Sequence, residues 1–414
     1  MLWFYLFILS IGVGGFFALL VAIARTPVLA NLFPEKYFYH GLVGHVDSAL
    51  IVGLYAFLAF LWHKVFEKEE KIHEVALSFL GFFLIFLSAL TGQGKALWNN
   101  YVPTIIHPTF FAGLILFFAG VFFTALRFLP RAVRSLYLGN ALESVLGISI
   151  INSVILPISL VISYVVVDKS LKEYGFFENL FWFPGHIHQF VNACLLVSTW
   201  ILLYKERVFN LRFLNYLLLV FPITLFIAQF YVEPKSDLGL DLTKTAYAIG
   251  IGIPTLSYGL MLFVNGLKLW DFERSTLKLS VLIYFLGALM GYLGVGMDLR
   301  VPAHYHAVIA SILVGIMALT LVFLKELGFI KEIPKFVRFI PYFYGFGMLL
   351  FVMGLFWAGL FGTPRKMPGT DYITNAKVYI FMAIMGLGSI LSVLGGASFV
   401  IYALKSTLRR RRDE

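Results

Sequence analysis

The chain has 414 residues, 60% of them hydrophobic and only 13% charged, with a net charge of +10 and a mean hydropathy of +0.89. A soluble domain carries about 25% charged residues, and the apolar runs here pass the ~20 residues needed to cross a bilayer, so composition excludes a soluble globular protein. Those runs are continuous rather than alternating, which excludes a β-barrel and leaves an all-α membrane bundle whose backbone groups pair within each helix.

Twelve spans are predicted in chain order: 1–24, 39–64, 74–95, 103–127, 139–167, 178–204, 211–233, 244–270, 277–297, 301–325, 337–361 and 376–404. The expected organisation is a single twelve-helix membrane domain over 1–404 followed by a basic cytoplasmic tail over 405–414. The first span is too long and too weakly charged at its start for a cleaved signal. Loops after even-numbered spans, together with the tail, hold 21 of the 32 Lys and Arg residues. The positive-inside rule therefore puts both termini in the cytoplasm. Arg409–Arg412 reads as stop-transfer charge, not as a nucleic-acid contact. Cys194 is the single cysteine, and no C-x-x-C-H run exists for covalent haem attachment. A twelve-helix transporter is the other class this hydropathy allows, but no internal repeat accompanies it.

Even-numbered spans run inward. His45 in the second, His107 in the fourth, His186 and His188 in the sixth, and His304 and His306 in the tenth then lie about 5–15 Å below the outer surface. His63 and His73 flank a cytoplasmic loop and read as solvated interfacial residues. Intramembrane polar groups face the bundle interior and mark a site, and histidine is a haem-iron ligand. Residues i and i+2 of a helix point about 200° apart. His304 and His306 thus cannot share one iron from one face. They can serve two cofactors on opposite sides of the helix, or be two unrelated core histidines. Asp47, Lys95 and Glu143 are further intramembrane charges, open to a proton path, to cofactor hydrogen bonds or, for the last two, to snorkelling.

Four segments in order carry a resemblance. Tyr39-His40-Gly41-Leu42-Val43-Gly44-His45 is similar to a second-helix Y-x-G-L-x-x-H. Phe181-Trp182-Phe183-Pro184-Gly185-His186 is similar to a sixth-helix W-x-x-G-H. Ala303-His304-Tyr305-His306 is similar to a tenth-helix A-H-x-H, and Gly362-Thr363-Pro364-Arg365-Lys366 resembles the G-x-P-R-R run after the eleventh helix. Together they resemble subunit I of the haem-copper oxidase superfamily, which includes cytochrome c oxidases and nitric oxide reductases. The resemblance implies a low-spin haem held by His45 and His306, a high-spin haem held by His304, and propionates paired with Arg365 and Lys366. It further implies electron delivery from cytochrome c or a copper-containing subunit in a bacterial or archaeal cytoplasmic membrane, with oxygen, or alternatively nitric oxide, as substrate. A non-catalytic di-haem electron carrier or gas-binding subunit is the reading from a different class.

The chain departs from that family on the seventh helix, where Ile227-Ala228-Gln229-Phe230-Tyr231-Val232-Glu233 replaces a histidine pair, and at Phe190, where oxidases place tyrosine and nitric oxide reductases often place glutamate. A non-haem copper or iron then has His186, Glu233 and Gln229 as candidate ligands; imidazole with carboxylate favours iron over copper. His107, His188 and Trp182 are candidates for supporting positions around the cofactors. His107 before Pro108 also reads as a helix-start residue, and Trp182 as ordinary packing.

Overall fold

The computed structural model describes residues 1–30, 37–293, 298–371, 373 and 375–413, with side chains through 408; the basic run Arg409–Arg412 lies outside the described side chains. Among the described residues thirteen helices carry the chain. They are α1 (Leu2–Ile23), α2 (Phe38–Val65), α3 (Ile72–Thr91), α4 (Pro108–Leu138), α5 (Ala141–Val166), the short α6 (Glu173–Leu180), α7 (Trp182–Tyr204), α8 (Arg212–Ala228), α9 (Asp237–Asn265), α10 (Phe272–Tyr292), α11 (Arg300–Glu326), α12 (Lys335–Leu360) and α13 (Ala376–Asp413). Eleven of them are long and apolar enough to cross a membrane. The remaining expected span, 211–233, is met by α8, which is apolar but only 17 residues long. The protein is an integral membrane protein of the all-α class.

Local chemistry sets the helix ends. Asn140 and Glu143 form a reciprocal capping box at the start of α5, so Glu143 is a helix cap and its intramembrane appearance in the sequence has a structural cause. Asp271 caps α10 by accepting from the Arg274 backbone N–H at 2.9 Å. Gly92 closes α3 in the left-handed region. Two π-helical turns interrupt the α pattern, Asp47–Gly53 inside α2 and Ala246–Ile251 inside α9; such turns occur mostly at functional sites.

The outer end of the fourth predicted span is not helix. Lys95–Leu97 (β1) pairs antiparallel with Thr104–Ile106 (β2), with Leu97 opposite Thr104, so residues 98–103 are the tip of a hairpin. The helix begins only at Pro108. His107 is its N-cap, with Nδ1 accepting from the Thr109 N–H at 3.4 Å. Proline is suited to that first position. Lys95 is exposed on β1 and pairs with Glu173 at 2.5 Å.

Contacts divide the chain into two compact units: residues 1–10, 46–201 and 205–259 in the first, and residues 11–45, 202–204 and 260–414 in the second. In the first, α3 packs on α4. Glu74, almost fully buried, takes two hydrogen bonds from the Arg127 guanidinium, at 2.9 and 2.7 Å, and one from Thr124 at 3.0 Å. His63 belongs to this unit too. It is buried rather than solvated, bonded through Nδ1 to the Lys68 carbonyl at 2.6 Å and set edge-on to Phe128; His73 is exposed, as expected. In the second unit α10, α11, α12 and α13 pack in succession, and α11 is its buried centre.

Candidate functional site

The second unit gathers His45, His304 and His306 with two arginines. His45 lies in the first turns of α2, and its Nδ1 is 3.0 Å from the Gly14 carbonyl of α1. His304 Nδ1 is 2.7 Å from the Gly287 carbonyl of α10. His306 Nδ1 is 2.8 Å from the Pro302 carbonyl of its own helix, and its ring stands edge-on to Phe351 of α12 at 5.0 Å. A carbonyl only accepts, so each Nδ1 carries the hydrogen and each Nε2 is left with its lone pair. That is the tautomer a metal-ligating histidine needs, with the ring fixed by its other nitrogen. All three rings are only half-buried by the polypeptide.

The i, i+2 spacing sends the two α11 imidazoles opposite ways. His304 turns to α10 and His306 to α12. Room for the first is made by glycine: a Cβ at Gly291 would sit 2.7 Å from His304 Cε1 and 2.8 Å from its Nδ1. His45, His306 and Arg25 all belong to this second unit. Arg25, at the end of α1, is buried and donates from Nη2 to the Pro364 carbonyl at 3.0 Å. Arg365, the residue after Pro364, is half-buried. Lys366 is half-buried in the same segment, and its carbonyl accepts from Tyr39 at 3.3 Å. Arg25 was not legible as a site residue, since its partner Pro364 lies 339 positions away.

The segment carrying Arg365 is anchored to the start of α11. Asp298 bridges Pro364, and the Leu299 N–H donates to the Thr363 carbonyl at 3.1 Å. The Arg300 guanidinium donates to Asp298 at 3.0 and 2.8 Å and holds that carboxyl below the usual carboxylate range. A depressed acid stabilises the fold above its unfolded pKa of about 3.9, and this contribution is lost as pH falls through the lower folded value.

The first unit holds the remaining candidates. His186, on the first turns of α7, is buried; its Nδ1 is 2.6 Å from the Trp182 carbonyl. Its Nε2 is not open: the Tyr101 hydroxyl lies 2.8 Å away. The Trp182 and Tyr247 rings each stand 4.9 Å from the imidazole. His188 faces elsewhere, stacked on Tyr55, with its Nε2 accepting from Asn192 at 3.2 Å. The structure does not bring Gln229 and Glu233 to His186. Gln229 Oε1 accepts from Ser159 and Ser163 at 2.9 and 3.1 Å. Glu233 is exposed, and with Gln229, Asp168 and Asn179 it lines a separate cavity of about 300 Å³ whose walls do not include His186. Their nearness to His186 in span order does not survive folding, because α8 ends at Ala228 and the chain turns outward there. Among the described residues no group of three or more His, Cys, Asp or Glu side chains converges as a metal site.

An uncharacterized protein of Aquifex aeolicus is 61% identical to this chain over 342 residues, covering 83% of this chain and 89% of the Aquifex protein. The chain belongs to the family of that Aquifex protein. A more distant relative of the Aquifex family, the uncharacterized protein RP382 of Rickettsia prowazekii, is 24% identical over 492 aligned positions, covering 96% of this chain and 94% of the relative. No family model matches the chain. A cryo-EM structure of a heme-copper terminal oxidase dimer superimposes with a TM-score of 0.70 over 97% of this chain and 83% of that one, at 18% identity. The Aquifex family therefore shares the fold of that oxidase.

Proposed function

We propose that the chain is the haem-binding core of a respiratory terminal oxidase, built like subunit I of the haem-copper superfamily. The observation that carries this reading is the matched set of three imidazoles, His45, His304 and His306, each with Nδ1 committed to a backbone carbonyl and Nε2 left as a base. Two cations of the same unit, buried Arg25 and half-buried Arg365, are available to anionic propionates. These residues fit haem. His45 and His306 would hold a low-spin haem and His304 a second one. Arg365, Lys366 and Arg25 would take the propionates.

Bound haem would supply reversible one-electron chemistry where two imidazoles saturate the iron, and an open coordination position where only one does. The polypeptide does the rest. The Gly14, Gly287 and Pro302 carbonyls fix ring orientation and tautomer. Burial and the arginine charges set the field in which electrons are accepted. Electrons would arrive from an extracytoplasmic cytochrome c or copper-containing subunit. Oxygen is the substrate the family resemblance implies, with nitric oxide as the alternative because the seventh-helix histidines are replaced.

The test is spectroscopic first and then functional. The purified protein is expected to contain two haems per chain, one of them six-coordinate and lost in both His45→Ala and His306→Ala but kept in His304→Ala. Oxygen uptake with reduced cytochrome c is the expected activity. A preparation that consumes nitric oxide, releases nitrous oxide and takes up no oxygen would replace oxygen in this reading, and a protein without a Soret band would end it.

A further inference from the structure

The fold relative is a heme-copper enzyme, yet the surroundings of His186 do not match a metal's needs. Copper wants several imidazoles and iron accepts imidazole with carboxylate. His186 is offered neither. Its Nδ1 is bonded to the Trp182 carbonyl, its lone-pair nitrogen already accepts a hydrogen bond from the Tyr101 hydroxyl, and the ring of a second phenol, Tyr247, stands 4.9 Å away.

That hydrogen bond is built rather than incidental. Tyr101 sits at the tip of the β1–β2 hairpin with φ of +66°, a region that non-glycine residues occupy only when the surroundings hold them there. Three features do so. First, Gly185, the residue before His186, lies under the Tyr101 ring, and a Cβ there would overlap the Cβ and Cγ of the tyrosine. Second, Glu178 of α6, almost wholly buried, accepts from the Asn100 backbone N–H and from Asn100 Nδ2 at 3.1 Å, and pairs with Lys235 at 3.2 Å. A buried carboxylate persists only with such partners. Here they are the residue next to Tyr101 and a lysine that also stands over the Trp182 ring. Third, Leu97 of β1 packs with Phe177, Leu180 and Phe181 in an apolar cluster that seats the hairpin on α6. The Trp182 ring stands edge-on to the Tyr101 ring at 6.1 Å.

We propose that Tyr101 is a latch that closes the free nitrogen of His186, that Glu178 is the residue positioning it, and that His186 consequently serves as a hydrogen-bond acceptor and not as a metal ligand. This goes beyond the haem assignment and does not depend on it, because every residue involved lies in the first unit while the three haem candidates lie in the second.

Two measurements on the full-length purified protein test it. The first compares total iron and copper with haem determined as the pyridine haemochrome. Iron equal to haem with no copper is expected; one copper, or one iron beyond the haem, per chain overturns the proposal. The second follows carbethoxylation of His186 by diethylpyrocarbonate, read by mass spectrometry. In the native chain His186 is expected to react slowly. In Tyr101→Ala and Glu178→Ala it is expected to react at least tenfold faster, with Glu178→Gln in between because the amide oxygen still accepts from Asn100. His188, held by Tyr55 and Asn192, is the internal control and should keep its rate, and haem content should not change. Equal His186 rates in the native chain and the Glu178 variants overturn the positioning role. Should Tyr101→Ala not fold, the Glu178 pair and the metal count still decide the matter.

Discussion

His45, His304 and His306 share one device, a backbone carbonyl that claims Nδ1 and so prepares Nε2. His186 carries the same device but has its second nitrogen claimed by Tyr101. The chemical difference between four similar imidazoles therefore lies in what meets the second nitrogen. Gly291 gives the sharpest residue-scale test. Replacing it by leucine would force the His304 ring from its seat, since even one added carbon would overlap it. Gly291→Leu is expected to lose one of two haems while the six-coordinate spectrum of the His45/His306 centre remains, measured by the pyridine haemochrome and the reduced-minus-oxidised spectrum.

Among the elements, α3 and α4 show how a charge is tolerated inside this bundle. The Glu74 carboxylate is matched by a two-pronged guanidinium and a hydroxyl, so neither ion is left bare. Breaking such a pair costs more than the pair contributes, because the remaining charge stays buried. Glu74→Ala is expected to destabilise the protein by about 3 kcal/mol, seen as a lower thermal transition in detergent. Replacing both partners by apolar residues of similar size is expected to restore most of that loss. At this scale the sequence was legible wherever hydrophobic period was the signal, as in α11 and α7, whose expected bounds lie within a few residues of those observed. It was not legible at the hairpin. The expected spans end at 95 and resume at 103, so the residues between them read as a plain loop, and only the pairing of β1 with β2 shows a hairpin there. The Tyr101 contact with His186 was hidden for the same reason, since 85 positions separate them.

For the whole molecule, the asymmetry of Lys and Arg, counted on twelve crossings, predicts both ends in the cytoplasm. Reporter fusions check this. Alkaline phosphatase joined after residue 235 is expected to be active and joined at the C-terminus inactive, while a fluorescent-protein fusion at the C-terminus should be bright. This count requires α8 to cross although it has only 17 residues, which is the low end of what a bilayer accepts.

The sequence by itself determined the membrane class, the helix order and the opposed directions of His304 and His306, because hydropathy and helical period are local properties of the chain. Tertiary structure alone decided that Arg25 joins the segment carrying Arg365, that Gln229 and Glu233 line a cavity whose walls leave out His186, and that a tyrosine covers His186. Those outcomes depend on contacts between residues far apart in the chain, such as Arg25 with Pro364 and Tyr101 with His186. No local pattern encodes such a meeting, which arises only when packed helices and the hairpin between them fix where each side chain ends.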